Sequence, residues 1–314
     1  AEDGHTGYTN TSGVALENVR FENIISNGRM FSFNSGSLTN VVFNNLESYE
    51  HLFFLYGCYV SKTPVPLTNC NFTNCRQTYP GSYGMQDGSG QLGAIFGGKL
   101  VGCNFINTSS ANHGGAFCLS DEFTGGGERV ASSLIDCNFI NVTSRWFAVY
   151  IHGNYSDDSQ HSGDAYITDP QVLDNCKFIN CSSSAEYGGA LGISHNNVII
   201  RNSDFINNTG GEGAAIMVGG IDRNHDAFNG RNDLANNVTI DNCTFVGNVA
   251  KVEGQSSSDS PIHGNYHADP TGNAGAVYVY GNNTKIINTL FVNNTAATVK
   301  TEPDPAKRFG DENQ

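Results

Sequence analysis

The sequence predicts a single right-handed parallel β-helix of about nine rungs, on three observations. A small-x-Phe-x-Asn unit returns along most of the chain, and a Gly-Ala-aliphatic unit returns between its copies. No apolar pattern of helical period interrupts either one. Units repeated at roughly two dozen residues cannot bury a face alone and must stack on their neighbours.

The first unit places Phe two residues before Asn at Phe21, Phe43, Phe72, Phe105, Phe139, Phe178, Phe205 and Phe291, and Phe245-Val246-Gly247-Asn248 is a slipped copy. The shortest interval, Phe21 to Phe43, is 22 residues, and longer intervals hold polar, Gly-rich insertions. Two residues before each Phe stand Val19, Val41, Cys70, Cys103, Cys137, Cys176, Ser203, Cys243 and Thr289. Residues i and i+2 share a strand face, so this small or β-branched column points inward with Phe. The Asn falls where the strand must turn. It tolerates a left-handed backbone, and its amide reaches the Asn above and below, which predicts an internal Asn ladder.

The second unit gives a strand with inward Ile95, Phe117, Val149, Leu191, Ile216 and Val277. Two residues further on come Leu119, Ile151, Ile193, Val218 and Val279, with Gly97 the exception. A third strand precedes the small-x-Phe unit, as in Val198-Ile199-Ile200 and Val238-Thr239-Ile240. Three short strands per rung in register make a parallel solenoid, and crossovers between parallel strands are right-handed. The solenoid spans 1–298 as one domain. Residues 299–314, with Thr301-Glu302-Pro303-Asp304-Pro305, read as a linker or tail.

Composition bounds the function. The formal charge is −14 with only 16 Lys+Arg, which excludes a phosphate-binding surface for nucleic acid. No apolar stretch is long enough to cross a bilayer, so no direct membrane insertion is expected of this fragment. Eleven Asn-x-Ser/Thr sequons point to an extracellular, cell-surface or cell-wall location. Asn10, Asn154, Asn237 and Asn282 are the candidate glycan acceptors.

The Phe-x-x-Asn and Gly-Gly-Ala-Ile-like units resemble the repeats of chlamydial polymorphic outer membrane proteins. The Asn-rich Cys-x-Phe-x-Asn dialect is more similar to adhesin-like surface proteins of methanogenic archaea, over roughly residues 14 to 298. That resemblance implies a right-handed β-helix, surface display and attachment to cells or polymers. The sequence carries no anchor or autotransporter barrel, which reads as a fragment of a longer protein.

Nine Cys leave at least one thiol outside any intrachain pair. The inward Cys column, with Cys75 and Cys181 at a second shared offset, reads either as small buried hydrophobes or as disulfides between rungs. No cofactor is required, and calcium is the one ion the residues suit. Asp222, Asn224, Asp226 and Asp233 have the spacing of a calcium loop, although Ala227 stands where that loop needs Gly. The alternative is a solvated insertion. Ile-His-Gly-Asn-Tyr occurs twice, with His152 and Tyr155 in one copy and His263 and Tyr266 in the other. It suits a sugar or a metal, or reflects duplication of a rung.

Strand alternation also predicts an outward stripe of Phe96, Tyr150, Met217 and Tyr278, extended by Tyr280, with Cys118 and Gly192 in the same column. An exposed aromatic stripe marks an interface or ligand groove, unless the insertions fold over it. The partner is then a cell-surface glycan or protein, or a neighbouring copy. The functional expectation is an extracellular adhesin-like protein, with a self-assembling wall, S-layer or sheath component as the alternative. A polysaccharide lyase or hydrolase comes third, because no basic motif accompanies the one Asp-Asp pair, Asp157-Asp158.

Overall fold

The computed structural model describes residues 10–11, 13–33, 35–56, 64–79, 92–112, 114–120, 131–152, 169–184, 188–211, 213–219, 235–251, 274–279 and 283–296. These residues form a parallel β-helix, all-β and without a helix among them. Sheet A stacks nine strands from Asn10–Thr11 to Val277–Val279, and sheet B nine from Val14–Glu17 to Lys285–Ile287. Sheet C runs from Arg20–Ser26 to Leu290–Val292 and carries the Phe column. Pairing is parallel throughout these sheets. Rungs are numbered one to nine by their sheet C strands.

The expected three strands per rung are joined by a fourth, narrow sheet D. Its five two-residue strands run from Thr143–Ser144 to Thr295–Ala296. In rungs one and two the strands Arg20–Ser26 and Val42–Ser48 pass through the C–D corner unbroken. Arg76–Gln77 pairs with the end of Val42–Ser48, and bridges at Ser109 carry the ladder on to Thr143. Two-residue strands have no periodicity of their own, so the sequence pattern could not resolve them.

The core is the Phe column. Phe43, Phe72, Phe105, Phe139, Phe178, Phe205 and Phe245 are fully buried, and neighbouring rings lie nearly parallel. Phe72 and Phe105 are 4.6 Å apart with planes 2° apart. This is close to the spacing of paired strands, which forces like residues in register to stack. Beside it runs a second buried column, Leu38, Leu67, Leu100, Leu134, Leu173, Ile200 and Ile240, from sheet B. At rung nine the columns open, and Ile286, Leu290 and Phe291 are exposed.

Two corners flank sheet C, and from rung three onward each is two residues long. The first residue of each corner is left-handed: Asn69, Gly102, Asp136, Asn175, Asn202, Asn242 and Asn288 at the B–C corner, and Asn74, Asn107, Asn141, Asn180, Asn207, Gly247 and Asn293 at the C–D corner. The second residue points inward. The left-handed residue therefore points out, which corrects the expectation of an internal ladder at this position. Asn141 Nδ2 donates to Asn107 Oδ1 at 3.0 Å and Asn180 Nδ2 to Asn141 Oδ1 at 3.3 Å, and these side chains are exposed.

An internal ladder does exist, one residue further along. Asn208 and Asn248 are fully buried, and Asn208 Nδ2 donates to Asn248 Oδ1 at 2.9 Å and to Phe178 O at 3.0 Å. Asn248 Nδ2 donates in turn to Asn294 Oδ1 at 2.7 Å. Burial without those bonds would cost each amide a desolvation penalty of about 1–3 kcal/mol. The signal was the doubled Asn207-Asn208 and Asn293-Asn294.

Candidate functional site

Length variation is confined to the edges of sheet A. Between sheets A and B the connection is one residue in rung four, Gly97, but the strands Phe147–His152 and Gln171–Asp174 stand 18 residues apart. On the other edge, Val249–Ala250 and Val277–Val279 are separated by 26 residues. Most of this inserted sequence lies outside the described residues. That includes Tyr155, Tyr266 and His263, the calcium-loop residues Asp222, Asn224, Asp226 and Asp233, Tyr280, and the sequon residues Asn154 and Asn282. Phe96 and His152 are placed on sheet A by their backbones.

The outward column of sheet A is assembled from Cys118 onward as the alternation required, but Phe96 is not part of it. Ala94 stands opposite Cys118 and Ile95 opposite Leu119, which puts Phe96 two residues further along the strand, in the column of Ser120 and His152. Cys118 pairs in register with Tyr150, Tyr150 with Gly192, Gly192 with Met217 and Met217 with Tyr278. It is not an open stripe. Tyr150 is 3% exposed and Met217 is fully buried, in a second apolar cluster with Cys118 and Phe147, against which Trp146 and Tyr278 pack. The Phe147 ring lies across the sheet over Gly192, where an added Cβ would come within 2.5 Å of it. Phe147 and Tyr150 stack at 5.3 Å. The Tyr150 hydroxyl shares a 2.8 Å hydrogen bond with Ser194 Oγ, which satisfies the one polar group in the cluster's centre. Of the two readings of this stripe, exposed or covered, burial of Cys118, Tyr150 and Met217 favours the covered one, and Tyr278 is half-buried.

The only Trp stands at the D–A corner beside this cluster. Trp146 Nε1 donates to Asn112 Oδ1 at 2.9 Å, and the Arg145 guanidinium lies 5.4 Å from its ring centre. Two rungs toward the N-terminus of the solenoid, Tyr49 and Tyr79 pair at 4.9 Å, with Tyr49 exposed. Gln77 Nε2 bridges the carbonyls of both tyrosines. Sequence reasoning missed these residues because they occupy corner positions that no repeat unit marks.

The eight described cysteines are free and buried. Each of the seven corner thiols lies against two strand carbonyls, one in the rung before and one two residues back, as Cys70 does Leu38 O at 3.5 Å and Thr68 O at 3.6 Å, and Cys176 does Leu134 O at 3.4 Å and Asp174 O at 3.5 Å. The Ser203 and Thr289 hydroxyls donate to the carbonyl two residues back, Arg201 O at 2.8 Å and Ile287 O at 2.7 Å. A small inward donor is what this corner position needs, and Cys provides one with little polarity. Contact with the Cys137 thiol and burial hold Cys103 up at about 12, and burial alone holds Cys181 at about 12. Contact with Cys103 and burial raise Cys70 as well. Such thiols carry almost no thiolate at neutral pH, so they are poor nucleophiles and poor metal ligands. Among the described residues no cluster of His, Cys, Asp or Glu is placed to hold a metal ion.

Sequons take a structural meaning in the corners. Asn107, Asn141, Asn180, Asn207 and Asn293 are left-handed corner residues, and the Ser or Thr two positions on opens the outward column of sheet D. The turn selects Asn, the strand selects a hydroxyl, and a sequon results. At Asn237, a candidate acceptor, the exposed amide donates to Asn197 Oδ1 at 3.2 Å. Asn10 opens the first strand of sheet A. The five sequons at the C–D corner, of eleven in all, therefore weigh less toward secretion than their number implies.

The fold and these surfaces define a parallel β-solenoid repeat protein with one decorated side and one regular side. No protein-family model matches the chain, and no curated protein is similar enough in sequence to count as a match.

Proposed function

We propose that the chain is a non-catalytic, adhesin-like surface module, a rod that displays recognition loops from both edges of sheet A. The observation that carries this is the confinement of inserted sequence to those two edges, while the corners of sheet C hold one length through rungs three to nine. In solenoids, insertions gathered on one side build the binding face, because the repeats behind them supply rigidity. The inserted segments hold Tyr155, His263 and Tyr266 and many of the chain's acidic residues, a chemistry suited to glycan hydroxyls or a polar protein surface. An extracellular location accords with the low charge and with the resemblance of the repeats. The aromatic cluster on sheet A is buried, so contact with ligand falls to the inserted segments.

The test compares the full chain with a variant whose 153–168 and 252–273 segments are replaced by short Gly-Ser linkers. Binding is read on a glycan array and on intact cells, alongside a polysaccharide degradation screen. Loss of binding in a variant that keeps its β-rich circular dichroism supports the proposal. Equal binding by both chains, or release of sugars by either, overturns it.

A further inference from the structure

Between the two corners of sheet C and on into sheet D, the outward face keeps one strand spacing from rung four to rung nine. Its central column is Ile106, Ile140, Ile179, Ile206, Val246 and Val292, all half-buried and all in register. On one side run the corner residues Asn107, Asn141, Asn180, Asn207, Gly247 and Asn293, and then the sheet D positions Ser109, Thr143, Ser182, Thr209, Val249 and Thr295. On the other runs a column in which Lys177 and Asp204 occupy adjacent rungs and pair in register. Among the described residues these two are the only charged side chains at the outward strand positions of sheets C and D in rungs four to nine, with Asp136 at the B–C corner and Arg145 and Lys251 just past sheet D at its margins, whereas a solvated surface is about a quarter to a third charged. The outward face of sheet B, by contrast, carries Lys99, Asp174, Arg201, Asp241 and Lys285.

We propose that this face binds a second copy of the chain, with the two solenoids antiparallel and sheet C packed on sheet C. The placement of charge selects that occupant. A twofold axis in the contact plane, perpendicular to the solenoid axis and passing between rungs six and seven, sets Lys177 of one copy against Asp204 of the second. The same operation sets Asp204 of the first against Lys177 of the second, which is the self-complementarity an isologous contact requires. It also opposes Ile179 with Ile206 and Ile140 with Val246, so the aliphatic column meets itself. Among the described residues Lys177 and Asp204 form no ion pair within one chain, which leaves both charges to pair across the contact. Any other partner would have to reproduce this one-plus, one-minus spacing on an aliphatic strip.

The face is about 24 Å along the axis and about 17 Å across, from strand spacing and rise per residue, a footprint of about 400 Å². A stable complex buries about 800 Å² per partner, so a weak, concentration-dependent dimer is expected, suited to lateral association of tethered copies. Sedimentation equilibrium of the full chain, from about 10 μM to about 1 mM at physiological salt, reads it. The expected result is a monomer–dimer equilibrium that Lys177→Asp or Asp204→Lys weakens at least about tenfold. The double variant Lys177→Asp/Asp204→Lys restores it, because the swap preserves the complementarity. Both side chains point outward, and circular dichroism confirms that each variant folds. A monomer at every concentration overturns the proposal, as does a dimer indifferent to the single reversals or a swap that fails to rescue.

Discussion

The corners of sheet C and the edges of sheet A both return the chain to the next strand, yet they do so under opposite constraints. A corner uses two residues, the first left-handed and outward, the second inward and in most rungs bonded to a backbone carbonyl, as at Cys181 and Asn208. There is no slack, and a change of one residue would turn the next strand inside out. At the edges of sheet A the chain leaves and re-enters after one residue or after 26, with the same strand register on either side. Loop-closure entropy rises slowly with length, so such insertions cost little once the strands they join are held by their neighbours. The difference teaches where this molecule stores stability and where it can vary.

The sharpest way to break the contrast is a pair of insertions. One Gly placed between Asn141 and Val142 should cost more than any single core truncation, since it displaces Val142 from the core and Thr143 from its pairing with Thr108 and Ser182. The same Gly placed between Asp157 and Asp158 should change stability by less than about 0.5 kcal/mol. Urea unfolding of both variants gives the comparison, and similar losses at both places would erase the distinction drawn between them.

Phe139→Ala comes next, at about 3–5 kcal/mol, because it opens a cavity between fully buried rings. Phe105 lies 5.3 Å away on one side and Phe178 4.6 Å on the other. A loss under about 1 kcal/mol, measured from the denaturation midpoint, would mean that the column collapses freely around the gap.

Asn141 separates conformation from bonding. Asn141→Ala should cost about 1–2 kcal/mol for a left-handed residue bearing a Cβ, whereas Asn141→Gly keeps the conformation and loses only exposed ladder bonds. Thermal melts in which Gly is as damaging as Ala would shift the weight from backbone to ladder. The chain already carries this substitution at Gly247, whose φ is 64° and which leaves Asn207 without a ladder neighbour above it.

The last effect is electrostatic and shows only at alkaline pH. Burial raises Cys181 from 9.0 to about 12, so the folded state holds a proton that the unfolded chain releases. The stabilisation is complete below the ordinary thiol pKa and is lost as pH climbs from about 9 toward 12, by at most about 1.4 kcal/mol per pH unit. Stability curves of the native chain and Cys181→Ala should therefore run parallel below about pH 9 and draw together above it. Curves that stay parallel above it would show that Cys181 does not titrate differently in the two states.

Much of this architecture was legible in sequence because its strongest constraints are local and repeated. The Phe, small-residue and Asn columns each recur at fixed offsets, and parallel strands in register allow only like-on-like stacking. Sheet D was not legible, since its two-residue strands are defined by partners in other rungs. The direction of the Asn side chains was not legible either. A left-handed residue ends strand alternation, so inward or outward depends on the path of the corner in three dimensions. The aromatic column of sheet A shows the same limit from the other side. Alternation correctly turned Tyr150 and Met217 away from the Phe core, but only tertiary packing decided that this second side is buried too. Sequence periodicity tells which residues share a face, and exposure depends on everything that later comes to lie against it.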